Sequence, residues 1–136
     1  MVPIQRVNPE THATPSGMTH VVSAQGGRTV YIAGQVARSK DGQVVGVGDF
    51  EAQAVKVFEN LASCLAVAGA QVDDIVKVST YVVNYKPELR PVIAEARRKV
   101  FGDNPPNGAG TMVGVQALSQ PEFLIEVEAF AVIGAE

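Results

Sequence analysis

The run at 123–133, FLIEVEAFAVI, constrains this chain more than any other stretch. Its Val, Ile and Phe residues favour extended backbone, and it carries two carboxylates. Period-2 geometry puts Leu124, Glu126, Glu128, Phe130 and Val132 on one face. Both glutamates therefore lie on the same side, roughly 6.5–7 Å apart along the strand. Carboxylates in such apolar company are either paired or have a task. Just upstream, residues 111–116 read as a second strand, and Leu118-Ser-Gln-Pro-Glu122 carries the proline and short polar residues of a turn.

A sheet containing that strand needs helices to cover it, and the sequence supplies two. From 50 to 68, Phe50, Ala54, Val57, Phe58, Leu61, Leu65 and Ala68 recur at three- and four-residue spacing. Asp49 is the expected N-cap, Glu51 suits the positive end of the dipole, and Gly69 is the expected C-cap. Cys64 falls within this helix and reads as a small core side chain. A second helix is predicted from about Pro91 to Phe101, with Ile93, Ala96 and Val100 as its inner stripe. The triplet Arg97-Arg98-Lys99 reads as its solvated face.

The other strands are short. Ile4–Val7 is one, and Val21–Ser23 with Thr29–Ala33 reads as a hairpin around Gly26-Gly27. Ile75–Val83 is the longest, with Val76, Val78, Thr80 and Val82 on one face and Lys77, Ser79, Tyr81 and Val83 on the other. The loop at 102–110, GDNPPNGAG, leads to the final strand pair. The order is three strands, helix, strand, helix, two strands. Helical crossovers between strands make part of the sheet parallel. Two helices cover only one face of an α+β sheet, and an apolar second face implies self-association.

Composition narrows the function. The 136 residues fit one domain, 1–136, and with 46% hydrophobic and 18% charged residues the chain is globular, not disordered. A net charge of −3 gives no basic footprint and disfavours nucleic acid as the main partner. A single cysteine excludes a disulfide framework, and His12 and His20 lack metal-type spacing. No apolar run approaches the ~20 residues needed to cross a membrane. The N-terminus has no hydrophobic signal core, so a cytoplasmic protein without metal or cofactor is the expectation.

Four stretches, in this order and spacing, carry a resemblance: Tyr31-Ile-Ala-Gly-Gln35, Leu65-Ala-Val-Ala-Gly-Ala70, Asp74-Ile-Val-Lys-Val-Ser-Thr-Tyr-Val82, and Val113-Gly-Val115 running on to Leu124–Ala131. Together they are similar to the RidA (YjgF) family, formerly endoribonuclease L-PSP, over about residues 17–133. The resemblance implies a chorismate-mutase-like fold, a six-stranded mixed sheet with two helices on one face. It implies a homotrimer with a small-molecule ligand bound in clefts between subunits. Family members hydrolyse enamines and imines, released by pyridoxal-phosphate enzymes, to 2-keto acids and ammonia, without metal or cofactor. An Arg just before the penultimate strand grips the substrate carboxylate, and a Glu on the last strand positions water.

Carried onto this chain, the family Glu falls at Glu126, the cleft glycine at Gly34, and a position often Ser at Ala33. The Arg position falls at Gly110 or Thr111, an early Tyr near Thr19, and a Cys near Met112. No Arg occurs between Phe101 and Glu136, so the carboxylate clamp is missing; Arg38 or Arg90 would have to replace it from a loop. A glycine-rich nest at Gly110 and Thr111 is a weaker substitute. Glu126 is the candidate that orients water, or else a glutamate bonded to backbone in an interface. Glu128 reads as a structural partner, His20 as a surface histidine, and Lys77 and Tyr81 as packing residues. Three functions compete: cofactor-free hydrolysis of a C=N compound, a non-catalytic binding trimer, and, least favoured on charge, a ribonuclease.

Overall fold

The computed structural model describes residues 4–103 and 107–134; the Asn104–Pro106 part of the expected long loop lies outside the described residues. The chain runs β1 (Ile4–Val7), β2 (Val21–Ala24), β3 (Arg28–Gln35), α1 (Phe50–Ala68), a 3₁₀ turn (Val72–Asp74), β4 (Ile75–Val83), α2 (Leu89–Phe101), β5 (Ala109–Val115) and β6 (Ile125–Ile133). This is the α+β element order expected from the sequence. Strands β3-β6-β4-β5 form a mixed sheet, with β4 and β5 parallel across the α2 crossover, and β1-β2 form a separate antiparallel pair.

The expected hairpin between the second and third strands is replaced by other pairings. Gly26 and Gly27 do turn the chain, at φ 72° and 77°. Beyond the turn the strands part: β2 pairs with β1, Val7 opposite Val21, and β3 pairs with β6, Tyr31 opposite Phe130. The reason is length and burial. The nine-residue β6 sets Ile32 opposite Ala129 inside the core, which the four-residue β2 cannot match.

Alternation on β6 sorts the two faces. Ile125, Val127, Ala129 and Ala131 are fully buried and join Val57, Phe58, Leu61 and Leu65 of α1 in one core. Glu126, Glu128 and Phe130 point the other way, as do Lys77, Ser79 and Tyr81 of β4, while Val78, Thr80 and Val82 are buried. Helix α1 is capped as expected: Asp49 accepts from the Ala52 N–H at 3.0 Å, and Gly69 closes it at φ 77°. Helix α2 starts at Leu89, two residues before the expected Pro91. The N–H groups of Leu89 and Arg90 bond to the carbonyls of Lys86 and Pro87, which leaves Pro91 in the first turn where no N–H is needed.

One polar side chain sits in the core that sequence patterning passed over. Gln53 is 0% exposed, and its Nε2 donates to the carbonyls of Glu122 (2.7 Å) and Gly46 (3.2 Å). Its Oε1 accepts from the Leu124 N–H at 2.9 Å. One amide thus ties α1 to the segment that delivers β6 and its glutamates. Replacing it by Leu leaves the Glu122 carbonyl and the Leu124 N–H without partners, while the Gly46 carbonyl keeps the Asp49 N–H (2.8 Å), so Gln53→Leu is expected to lower unfolding stability by about 2–4 kcal/mol. Urea unfolding at fixed protein concentration measures this; a loss under about 1 kcal/mol would mean that water or a neighbour takes over the clamp.

Candidate functional site

The glutamate predicted to carry chemistry meets the glycine predicted to line its cleft. Between Ile32 and Gln35 the β3 strand carries one residue more than its β6 partner, a bulge that includes Ala33 and Gly34. The bulge turns Gly34 onto the Glu126 side chain so closely that a Cβ built there would lie 1.9 Å from Oε2. Only glycine fits. Ala33 is exposed beside it, and Gln35 Nε2 donates to the Ala33 carbonyl at 3.0 Å.

Partial burial is the main cause that raises the Glu126 carboxyl above the usual glutamate range, with the charge of Glu128 adding to it. Glu128 is held in turn: the Tyr81 hydroxyl donates to its Oε1 at 2.6 Å. That bond, followed by desolvation and the charge of Glu128, raises the Tyr81 phenol and keeps it a donor. Lys77 reaches the other way, donating to Thr111 Oγ1 at 3.0 Å. No cation pairs with either glutamate among the described residues. The open face is completed by Tyr31, 74% exposed, whose ring meets Phe130 edge-on at 5.2 Å.

A second concave feature lies on the helix side, where α2 stands over the ends of β4 and β5. It is a cavity of about 740 Å³. Gly110 and Met112 reach it from β5, Val78 and Thr80 from β4, and Gly17 and Met18 from the loop before β2. A Cβ on Gly110 would lie 3.0 Å from the Met18 Cβ, so Met18 occupies the space into which a side chain at 110 would grow. Two arginines enter from α2, Arg90 and Arg97. The solvated-face reading of Arg97-Arg98-Lys99 is corrected here. Arg98 and Lys99 are exposed and paired with Glu95 (2.6 Å) and Glu51 (3.0 Å). Arg97, four residues past buried Ile93, turns inward against Gly17.

The remaining candidates are dispersed. Thr19 is buried, its hydroxyl donating to the Asn107 carbonyl (3.0 Å) and its N–H to Gly108 (3.1 Å); it fastens the early loop to β5. His20 lies on the N-terminal pair, its ring bonded to the Ala13 carbonyl (3.2 Å) and packed against His12. Arg38 stacks on Phe123, 5.1 Å from the ring centroid, outside the cavity lining. Cys64 is half-buried, and burial raises its thiol. Within one protomer the structure therefore gathers Glu126, Gly34 and Ala33 on the open face near β3, and Gly110 and Thr111 at the β5 edge, with β4 and β6 between the two edge strands. Sequence reasoning missed Arg97; its i+4 spacing from Ile93 was the available signal.

The chain is thus a helix-covered mixed sheet with a carboxylate pair on its bare face and a cavity under its second helix. Comparison with known proteins identifies its class. The family described as Endoribonuclease L-PSP matches residues 11–133, and the chain belongs to that family, the RidA/YjgF or Rid proteins. A RutC family protein of Pyrococcus horikoshii is 35% identical over 108 residues, 77% of this chain and 79% of its own. A 2-iminobutanoate/2-iminopropanoate deaminase of Dermatophagoides farinae is 28% identical over 111 residues, 82% of this chain and 83% of that one. Among solved structures, the Rid-family protein YyfB of Yersinia pestis, of unknown function, is similar with a TM-score of 0.87 at 41% identity, covering 97% of this chain and 100% of that one. Among the described residues, no helix is long and apolar enough to cross a membrane.

The raised carboxyl has a consequence for stability. A folded-state pKa above the unfolded value means that the charged form of Glu126 is disfavoured in the fold. The penalty is absent below the unfolded pKa and grows to full size as pH rises through the folded one. Glu126→Gln is therefore expected to raise the melting temperature at pH 7, with the gain vanishing near pH 4. A variant that melts lower than wild type at pH 7 would show that the carboxylate is stabilising there.

Proposed function

We propose that this chain is a cofactor-free hydrolase of small imines or enamines, working as a homotrimer with its sites in clefts between subunits. The observation that carries the reading is the Glu126 carboxylate: set against the bare backbone of Gly34, without a cation partner among the described residues, and raised toward the strength of a useful base. Water held by Glu126 attacks the C=N carbon, and the carboxylate takes the proton as the C–O bond forms. The C=N electrons move onto the nitrogen, which takes that proton back from Glu126 to give the carbinolamine. The carboxylate then removes the hydroxyl proton and passes it to the nitrogen as the C=O bond forms and the C–N bond breaks, so ammonia leaves and Glu126 is ionised again. Tyr81 keeps Glu128 in place, so its charge stays beside the base throughout.

Two features favour assembly between subunits. Within one protomer Glu126 faces away from the helix-side cavity, so a ligand in that cavity meets a Glu126 only if a neighbour brings it. The exposed Tyr31, Phe130 and Val113 on the open face give a neighbour apolar surface to cover. The deaminase of Dermatophagoides farinae lends the reaction class by family likeness. A binding trimer without turnover is the second reading, favoured by Met18 filling the space beside Gly110, one of the two positions at which the family arginine falls by resemblance.

Ammonia release from freshly generated 2-iminobutanoate, corrected for spontaneous hydrolysis, separates the two. Wild type is expected well above background and Glu126→Gln about 100-fold or more below wild type. No rate above background in wild type would leave the binding reading. The active species carries an ionised Glu126, so the acid limb of the rate profile should lie above the ordinary glutamate range. Glu128→Gln removes the smaller of the two causes and should move that limb partway down. An unmoved limb would show that Glu128 does not tune the base.

A further inference from the structure

The missing strand arginine leaves a question about what holds the acidic end of a substrate. We propose that Arg97 of α2, with Arg90 one turn-pair away, is the anion receptor of the cavity and selects small organic acids with an apolar side chain. The proposal rests on the hydrolase reading and names its substrate class. It begins from an unpaired charge. Arg97 Nε is shut off from solvent and has no hydrogen-bond partner among the described residues. Desolvation lowers the Arg97 guanidinium pKa, and a guanidinium remains charged even so. A desolvated cation without a counter-ion is costly, and a ligand carboxylate would supply the missing partner.

The surroundings are arranged for that ligand. Arg90, Ala94 and Arg97 share one face of α2 at i, i+4 and i+7, and all three line the cavity. No Asp or Glu lines it among the described residues, although the chain as a whole is acidic. The cavity's charged lining is therefore positive in a protein of net charge −3, which favours small anions there. Gly17 leaves the guanidinium its room: at φ 74° a side chain would be strained, and its Cβ, 2.7 Å from an Arg97 terminal nitrogen, would push the guanidinium aside. Met18, Val78, Ile93 and Met112 form apolar wall around the two arginines. An acid head on the guanidinium fork and an apolar tail against the methionines is the shape this lining accepts.

The relation between the two parts also fits. By the family resemblance the strand clamp falls at Gly110 or Thr111, and Met18 fills the space beside Gly110. Arg97 approaches the same cavity from the helix on its opposite wall. The acid end of the ligand would be turned toward α2, leaving its C=N end toward the cavity mouth.

The test uses the unreactive keto acid 2-oxobutanoate as the probe, with binding measured by calorimetry and by its effect on melting temperature. Wild type should bind it, and Arg97→Met should bind about tenfold more weakly or worse. Arg97→Lys, which keeps the charge and loses the fork, should fall between them. Arg98→Gln, at an exposed neighbouring position, should match wild type. Without ligand, Arg97→Met should melt no lower than wild type, since it removes a desolvated charge and not a paired one. Equal binding by wild type and Arg97→Met, or no binding by wild type, overturns the proposal. Tight, Arg97-dependent binding without imine turnover would uphold the receptor and overturn the hydrolase reading instead, so the two failures are told apart.

Discussion

Everything in this fold depends on β6 being an interior strand with two different faces. It is hydrogen-bonded to β3 on one side and β4 on the other, so its backbone is satisfied along its length and its side chains have only up and down to choose from. Down, Ile125, Val127, Ala129 and Ala131 close the core against α1. Up, Glu126 and Glu128 stand on a bare sheet. A one-residue slip of register would bury both carboxylates beneath the helices, so the apolar set locks the position of the polar one. The Gln53 amide adds a second lock where the strand begins. Rigid placement of Glu126 is thus a by-product of the core.

The same logic explains why the site is divided. Two helices cannot cover both faces of a sheet, so the helix side acquires the cavity and the open side the carboxylates. On the proposed reading neither half suffices alone: among the described residues the open face has Glu126 without a cation partner, and the cavity has two arginines without an Asp or Glu. In the proposed assembly a second copy's open face would meet the α2 cavity and join them, which would make assembly a requirement of catalysis. Met18 beside Gly110 and the inward Arg97 line the same cavity, and on the proposed reading the carboxylate clamp sits on the helix and not on the strand.

Much of this was legible in the sequence because period carries burial. The bounds of α1 and β4 follow from apolar spacing, and the Asp49 and Gly69 caps from side-chain chemistry and positive φ. The meeting of Gly34 with Glu126 follows from likeness to the family, and the β3 bulge supplies its geometry. What was not legible was settled by contacts distant in sequence. The partner of β3 depends on β6, about a hundred residues later, and no local turn signal reveals it. Gln53 is an ordinary helix residue until the carbonyls of Glu122 and Gly46 are placed beside it. Arg97 sits among charges that are solvated, and only the packing of α2 against the Gly17 loop separates it from Arg98 and Lys99.

The most direct test of this account is a crystal structure of the protein grown with 2-oxobutanoate. The account predicts the ligand in the cavity under α2, its carboxylate on the Arg97 guanidinium and its keto carbon facing Glu126 of the partner subunit. A ligand bound elsewhere, or an assembly in which the open sheet face and the α2 cavity never meet, would contradict it.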